Sequence, residues 1–253
     1  MNLPFADSFL FWYVRGIHRR GRQVFPLDRL KGDSVRRLLL ILTTGLGDAV
    51  LSSAVFPNLR KAFPASDIRL FCREAWRDLF QNDPDLNGVI GYRGQYRNFF
   101  STVRDLRAFG PELTLVLHGN DPDILPLAYL AGSRYIVRIP WSGTRFGFLL
   151  SNYGRRGDES PLPDCHYIDN RLRILETIGV EGKWRYPRIH LPPEIVGRTR
   201  EKLLSLLGRG EKPYWVFHPL AADAYKVWPG DQARKLLERA LLRWPDSAVL
   251  LPG

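Results

Sequence analysis

Short apolar segments alternate with helix-like segments along the first 140 residues, and this alternation restricts the possible folds more than any other feature. The run 38–43 is apolar up to its last residue and stops at Thr44-Gly45-Leu46-Gly47-Asp48, as a buried parallel strand does where it enters a turn. Further strands are predicted at 67–72, 89–92, 112–118 and 135–139, with helices at 49–63, 74–80, 96–109 and 124–131. Strands that alternate with helices predict an open, mostly parallel α/β sheet.

The pattern changes after residue 140. Residues 151–165 predict a loop, and 166–178 and 193–207 predict two helices. A second α/β unit follows, with predicted strands at 214–218 and 248–251 around a helix at 229–244. We therefore divide the sequence into an N-terminal extension (1–35), an α/β domain (36–165), linker helices (166–210) and the start of a second α/β domain (211–253). Because one β-α-β crossover is the minimum unit of such a fold, we expect the chain to be either a fragment or a gene product that lacks its C-terminal part.

The charge of the chain favours anionic partners without choosing among them. There are 37 basic and 26 acidic residues, a formal net charge of +11, and such a surface favours nucleic acid, anionic lipid or phosphorylated ligands. The charges are mostly interleaved, so we expect no nucleic-acid stripe. Neither Cys72 nor Cys165 has a metal or redox spacing, which predicts free thiols in a reducing compartment.

The N-terminal extension is both aromatic and basic. An apolar run from Phe9 to Val14 precedes Arg15, Arg19 and Arg20, the reverse of the order in a signal peptide. No run approaches the ~20 apolar residues of a membrane span. Two interpretations stay open: a helix lying in a membrane interface, or a helix packed on the body of the protein. We expect a cytoplasmic protein, with peripheral contact at the inner face of the cytoplasmic membrane as one hypothesis.

Asp48 is the first candidate for chemistry. Glycines at 45 and 47 allow a tight turn and close approach of a ligand at the carboxyl end of the strand. The dinucleotide pattern GxGxxG fits poorly, because Val50 stands at the third glycine. Asp48 is either a helix N-cap or a carboxylate held at a crevice as a general base, and the local sequence alone favours the cap.

Two further segments are candidates. In His218-Pro219-Leu220-Ala221-Ala222 and the residues up to Pro229, Lys226 lies just before a helix start, a natural place for a diphosphate, although a solvated loop lysine is the simpler interpretation. In the segment 165–172, His166 and Asp169 share one helix face. They suit a metal pair weakly, and a helix-start hydrogen bond better.

Together, in this order and spacing, the three segments resemble the glycosyltransferase family 9 heptosyltransferases of lipopolysaccharide core assembly. The strand entering Gly-Leu-Gly-Asp resembles that family's N-terminal signature. His166-Tyr-Ile-Asp169 with Leu175-Glu-Thr-Ile-Gly179 resembles its linker helix. His218-Pro219-x-Ala221 with Lys226-x-Trp228-Pro229 resembles the opening of its donor domain. The resemblance covers 36–253 and leaves 1–35 unexplained.

The resemblance implies a GT-B architecture, in which an N-terminal acceptor domain and a C-terminal nucleotide-sugar domain, both Rossmann-like, face each other across a cleft. It implies inverting, metal-independent transfer of heptose or a related sugar, with no cofactor, from a nucleotide-sugar such as ADP-heptose to a lipid-linked, anionic saccharide. Asp48 would be the general base and Lys226 would neutralise the diphosphate. His218, Ala221 and Ala222 would line the donor site. The acceptor would contact Gly45, Gly47, Arg60, Lys61, Arg73 and Arg145.

The sequence departs from the family pattern on the donor side. Leu220 stands where the family usually has glycine, and Ala222 where it has a hydroxyl residue that reaches the donor phosphate. The family's later glycine-rich and acidic donor residues would lie beyond Gly253. We therefore expect no sugar transfer by the 253-residue chain alone. The alternatives are a non-catalytic acceptor-binding remnant and, less favoured, a generic dinucleotide-binding protein.

Overall fold

The computed structural model describes residues 4–21, 23–31, 34–119, 121–139, 145–153, 165–208, 212–221 and 223–251. The chain divides into two compact units, Met1–His190 and Leu191–Gly253. Residues 1–35 and 166–190 fall within the first of these units, and residues 191–210 within the second.

A five-stranded parallel sheet forms the centre of the first unit. Its strands are β1 (Arg37–Leu42), β2 (Asp67–Arg73), β3 (Gly88–Tyr92), β4 (Leu113–His118) and β5 (Tyr135–Arg138), in the order β3-β2-β1-β4-β5. In β1 the five residues from Leu38 to Leu42 are all buried, as expected for a central parallel strand covered on both faces. All five predicted strands are confirmed, and the order is that of a Rossmann-like sheet.

Helices cover both faces of this sheet. One face carries α1 (Pro4–Arg19), α5 (Phe99–Phe109) and α6 (Ile124–Ala131), packed on apolar side chains such as Leu39 and Ile41. The other carries α2 (Leu46–Ser52), α3 (Val55–Ala62), α4 (Arg77–Phe80) and α7 (Tyr167–Thr177), packed on Leu38, Leu40 and Leu42. The alternation of β1 side chains between the two layers follows from the period of two in a strand.

The single helix predicted at 49–63 is instead two helices, α2 and α3, which meet at Ser53 and Ala54. The Ser52 hydroxyl donates to the Asp48 carbonyl at 2.7 Å, and the Ser53 hydroxyl and amide both donate to the Val50 carbonyl at 2.7 and 3.1 Å. Serine side chains that bond to nearby carbonyls compete with the regular helical ladder. The helix therefore breaks at the serine pair.

Helix α1 is packed on the body of the protein. Leu10 and Val14 are buried, and they belong to the same core cluster as α6. Leu27 and Val35 extend the core on the other face of the sheet. Of the two interpretations for the N-terminal segment, packing on the protein's own body is confirmed for the inner side of the helix.

The segment after α7, residues 181–190, is held on the first unit by hydrogen bonds and ion pairs. The Asn58 amide exchanges two hydrogen bonds of 2.9 Å with the backbone of Trp184. The amide of Arg188 donates to the Ser53 hydroxyl at 2.8 Å. The Arg188 guanidinium pairs with the Asp85 carboxylate, and its Nη2 lies 3.7 Å from the carboxylate of buried Asp83. These contacts hold residues 181–190 on the first unit.

The second unit contains α8 (Pro193–Leu207), β6 (Tyr214–Val216), α9 (Gly230–Arg243) and β7 (Ala248–Leu250). β6 and β7 are parallel neighbours, with Trp215 opposite Val249. Trp215 and Trp244 lie with ring centroids 4.7 Å apart. The predicted β-α-β unit is confirmed. None of the helices in the described part of the chain is long and apolar enough to cross a membrane.

Candidate functional site

The strand order reverses between β1 and β4, and this is where the candidate site lies. The connections after β1 lead to β2 on one side, and those after β4 lead to β5 on the other. In open α/β sheets, ligands bind at such a switch point, outside the carboxyl ends of the strands. Asp48 follows β1, and His118 is the last residue of β4. The two side chains therefore meet at the expected crevice.

Asp48 lies among three polar partners. The Thr44 hydroxyl donates to Asp48 Oδ2 at 3.2 Å. His118 Nδ1 is 3.6 Å from the same oxygen, and Arg171 Nη2, from α7, is 3.8 Å from Asp48 Oδ1. The Asp48 side chain keeps 32% of its surface exposed, against 9% for Arg171. The carboxylate is thus held from the protein side and open to an incoming group.

Burial affects the protonation of the groups around Asp48. It lowers the pKa of His118, and the positive charge of Arg171 lowers this pKa further, whereas the charge of Asp48 raises it. His118 is therefore neutral near pH 7, and its contact with Asp48 is one of imidazole with carboxylate rather than an ion pair. Burial also lowers the pKa of Arg171, yet a guanidinium stays charged in proteins. Arg171 is the cation that faces Asp48.

A bulge in β4 sets the position of His118. Ile41 pairs with Val116, but Leu42 pairs with His118, so Leu117 is the extra residue. Paired residues of parallel strands face the same side of a sheet, and the bulge therefore turns His118 toward the layer of α2 and α7. The Thr43 amide then donates to the His118 carbonyl at 2.9 Å and fixes the end of the strand pair.

Gly119 keeps the two strand ends close. A Cβ at this position would lie 2.6 Å from the Thr43 hydroxyl oxygen, which is shorter than any normal contact. Just after β2, the Trp76 indole donates to the Thr44 carbonyl at 3.0 Å and anchors the loop after β1. The fold therefore specifies the geometry on both sides of Asp48.

Asp48 is not the N-cap of α2. Gly45 occupies the N-cap position of α2, without a side-chain cap, and Asp48 lies in the first turn. Its side chain bonds to Thr44 instead of to the backbone amides of its own helix. The capping preference of aspartate is overridden because the helix starts three residues earlier than the sequence pattern predicts.

A second polar cluster lies along the same edge. Arg73, at the end of β2, is 3.6 Å from the Asp121 carboxylate. Asp123 is 1% exposed and accepts from the Tyr92 hydroxyl at 2.8 Å and from the Tyr96 amide at 3.0 Å. Burial raises the pKa of Asp123 to about 6. This buried carboxyl holds the turn after β3, where Tyr96 adopts a left-handed backbone with φ of 56°.

The structure brings some predicted acceptor residues to this edge and leaves others elsewhere. Gly45 and Gly47 adjoin Asp48, and the space where their side chains would lie is open. Arg60 is instead bonded to the carbonyls of Phe63, Pro64, Ser66 and Asp85 and to the Asn87 side chain, so it anchors the end of α3. This is the usual role of a basic residue at a helix C-terminus.

Lys61 and Arg145 do not join Asp48 either. Lys61 lies in the last turn of α3 and lines a shallow groove with Asn58 and Glu181. The Arg145 guanidinium lies 4.6 Å from the centroid of the Phe11 ring on α1. Only Arg73, among the four predicted cations, comes from the carboxyl end of a strand.

On the second unit, the predicted donor residues lie in the loop between β6 and α9. His218, Ala221 and Lys226 are all exposed, and Ala222 lies outside the described residues. Lys226 Nζ donates to Asp223 at 2.7 Å, a contact that raises the pKa of Lys226. The Trp228 amide donates to the Pro219 carbonyl at 3.0 Å and closes the loop. Lys226 therefore stands just before the α9 N-terminus, as predicted, with an internal counter-ion.

His166 and Asp169 have separate roles at the start of α7. His166 is the N-cap, and its Nδ1 accepts from the Ile168 amide at 3.3 Å, so the predicted helix-start role is confirmed. Asp169 pairs with Arg185. Among the described residues, no group of three or more His, Cys, Asp or Glu side chains is arranged to hold a metal ion.

Sequence reasoning did not identify His118, Thr44 or Arg171 as partners of Asp48. His118 ends a predicted strand, so the switch-point rule would have found it if the strand order had been known. Arg171 belongs to the segment that carries His166 and Asp169, but a lone arginine on a helix gives no signal of its own. Its role depends on α7 packing across α2 and β4.

Comparison with known proteins agrees with the fold. No protein-family model and no curated protein matches the chain. Among solved structures, a family 9 glycosyltransferase from Veillonella parvula superposes with a TM-score of 0.71 at 18% identity, over 88% of this chain and 63% of that one. The E. coli ADP-heptose lipopolysaccharide heptosyltransferase II gives 0.63 at 19% identity, over 85% and 63%.

A third neighbour is the E. coli heptosyltransferase WaaC, solved with ADP, with a TM-score of 0.56 at 16% identity over 86% of this chain and 66% of that one. The class that the fold defines is therefore the Rossmann-like α/β fold of GT-B glycosyltransferases. Within that class, the chain has the fold of family 9 enzymes, including ADP-heptose heptosyltransferases. It spans 63% of the length of the first two neighbours.

Proposed function

We propose that this chain is the acceptor-binding part, with the beginning of the donor-binding part, of a family 9 glycosyltransferase. The enzyme would move heptose or a related sugar from a nucleotide-sugar such as ADP-heptose to a lipopolysaccharide-core or similar lipid-linked acceptor. It would work in the cytoplasm, in peripheral contact with the inner face of the cytoplasmic membrane. The transfer would invert the anomeric centre and would need no metal.

One observation supports this proposal most directly: the partly exposed carboxylate of Asp48 lies at the switch point and already contacts the side chains that position it. Thr44 donates to one carboxylate oxygen of Asp48, and the Arg171 guanidinium lies 3.8 Å from the other. An ionised carboxylate can take the proton from an acceptor hydroxyl as that oxygen attacks the sugar. The open space beyond Gly45 and Gly47 leaves room for the acceptor next to the base.

The cations at the same edge suit an anionic acceptor. Arg73, Arg138 and Arg171 come from the ends of β2 and β5 and from α7. Guanidinium groups bind phosphate and carboxylate with two parallel hydrogen bonds. On the donor side, Lys226 and the free amides at the α9 N-terminus would stabilise the departing diphosphate, in exchange for the present Asp223 contact.

The test is an assay of ADP release from ADP-heptose with a lipopolysaccharide-core acceptor. It uses the protein from its natural source, and the intact mass is measured at the same time, because the chain is shorter than its structural neighbours. Asp48→Asn should lower the rate by about 10²–10⁴-fold, the usual effect of losing a general base. Lys226→Ala should lower it by about 10²-fold or more. Asp78→Asn, an acid in the first turn of α4, is the matched control.

The outcomes separate the hypotheses. A rate unaffected by chelators and a product of inverted configuration support the proposed mechanism. Acceptor binding without any ADP release would favour a non-catalytic acceptor-binding protein. An Asp48→Asn enzyme as fast as the Asp78→Asn control would remove Asp48 from the mechanism.

A further inference from the structure

The outer side of α1 carries an aromatic stripe that the described residues leave exposed. Phe9, Trp12 and Tyr13 are 62%, 63% and 51% exposed, whereas Leu10 and Val14 on the inner side are 6% and 0% exposed. The three aromatic residues follow the spacing i, i+3, i+4 and therefore share one helix face. Packing against α6 satisfies the inner face and leaves this second apolar face to solvent.

The stripe continues onto α5. Tyr13 lines a groove of about 460 Å³ together with Phe99, Phe100 and Val103. Phe100 is 82% exposed, which is unusual for a phenylalanine on a folded domain. The outer faces of α1 and α5 thus form one continuous surface, which we call the aromatic face (Phe9, Trp12, Tyr13 and Phe100).

Arginines border the aromatic face. Arg15 lies 5.4 Å from the Phe11 ring centroid and 6.0 Å from that of Trp12. Arg19 and Arg20 are exposed at the C-terminal end of α1. On α5, Arg104 is 78% exposed and Arg107 lines the groove. Residues 4–20 and 99–109 contain these five arginines and only two acids, Asp7 and Asp105.

We propose that the aromatic face and its arginines bind the surface of an anionic lipid bilayer. Aromatic side chains favour the boundary between headgroups and acyl chains, and arginines beside them bind lipid phosphates. The helix is already packed on the protein, so binding requires no folding step. This inference rests on the proposed function only for the membrane contact. Vesicle binding is measured without sugar transfer, so a failure of the inference and a failure of the proposed transferase activity are distinguishable.

The charge pattern favours lipid over a second copy of the chain. A symmetric dimer through this face would place the arginine borders of two copies against each other, and like charges that meet across an interface are unfavourable. An anionic bilayer complements the same charges. Measuring the oligomeric state in solution distinguishes a second copy of the chain from lipid as the occupant of the aromatic face.

Co-sedimentation of the full 253-residue chain with vesicles tests the proposal. The chain should bind vesicles of phosphatidylglycerol and phosphatidylcholine in equal parts, and binding to phosphatidylcholine alone should be at least about tenfold weaker. Added salt should weaken binding to the anionic vesicles. Deletion of α1 is not a suitable test, because it would remove Leu10 and Val14 from the core.

Exposed substitutions localise the effect without disturbing the core. Trp12→Ser with Phe100→Ser should lower the partition coefficient by about tenfold or more. The matched control is Leu242→Ser on α9, where the leucine is as exposed as Phe100, at 82%. Far-UV circular dichroism and thermal melts establish that each variant is folded.

A second pair of variants tests the arginines. Arg19→Gln with Arg20→Gln should lower binding by about 10–30-fold, and replacing both by lysine should restore it. Arg198→Gln with Arg200→Gln, two exposed arginines on α8, is the control of equal charge change. No binding by the wild-type chain, equal binding to both vesicle types, equal losses in the controls, or a dimer that the Trp12 and Phe100 changes abolish would each overturn the proposal.

Discussion

Replacing Asp123 by asparagine should stabilise the first unit at neutral pH and leave it almost unchanged in acid. Asp123 is nearly fully buried between the Tyr92 hydroxyl and the Tyr96 amide. An asparagine can satisfy both, because its oxygen can accept from the Tyr96 amide while its NH₂ donates to the Tyr92 oxygen. The change therefore removes a buried charge and keeps the hydrogen bonds.

The magnitude follows from the pKa of Asp123. Burial, the largest cause, raises it from 3.8 to about 6, and the charges of Asp121 and Asp7 add to the rise. Between these values the unfolded chain has lost the proton and the folded chain still holds it, so wild-type stability falls as the pH rises. At about 1.4 kcal/mol per pH unit, the asparagine variant should gain about 2 kcal/mol relative to wild type between pH 4.5 and pH 8.

The measurement is urea unfolding of both proteins across this pH range, followed by circular dichroism. The difference in unfolding free energy between variant and wild type is compared at each pH, so that other titrating groups cancel. Asp105→Asn, at an exposed site on α5, is the matched control. A difference for Asp123→Asn that does not change with pH, or one in which wild type gains with rising pH, would refute burial as the dominant influence on the carboxyl of Asp123.

Two further substitutions test contacts within the first unit. Gly119→Ala should destabilise the first unit by about 1–3 kcal/mol, because the added Cβ would lie 2.6 Å from the Thr43 hydroxyl oxygen. Adding Thr43→Ala removes this contact, so the double variant should recover part of the lost stability in a thermal melt. Asn58→Ala should lower the free energy of unfolding, measured in urea, by about 1–3 kcal/mol, because the backbone N–H and C=O of Trp184 lose the two hydrogen bonds they now make. Asn82→Ala, at an exposed asparagine, is the control. A loss of stability in Asn58→Ala no greater than that in the control would contradict this role.

The sequence predicted the secondary structure of the first unit closely, because its strands are continuous apolar runs between clear turn signals. Helix 49–63 is the exception. Its apolar spacing is helical throughout, and the break at Ser52 and Ser53 depends on where their hydroxyls bond. Hydrophobic periodicity does not report such side-chain bonds.

The site was predictable only in part. Asp48 follows from a strand, a glycine turn and a helix, all visible in the sequence. The position of His118 depends on strand order and on the bulge at Leu117, and that of Arg171 depends on the packing of α7; these two residues lie 70 and 123 positions from Asp48 along the chain. Local sequence contains neither fact. Arg60 bonds to carbonyls at the end of α3, a capping role of basic residues that a search for anion-binding residues overlooks.

The close pair of indoles at Trp215 and Trp244 makes the second unit separately visible in solution. Two aromatic chromophores 4.7 Å apart couple their electronic transitions, which gives a paired positive and negative band in circular dichroism. Loss of that band would report melting of the β6-α9-β7 unit, while the helical signal follows the whole chain. A single heating experiment would then tell whether the two units unfold in one cooperative step or in two.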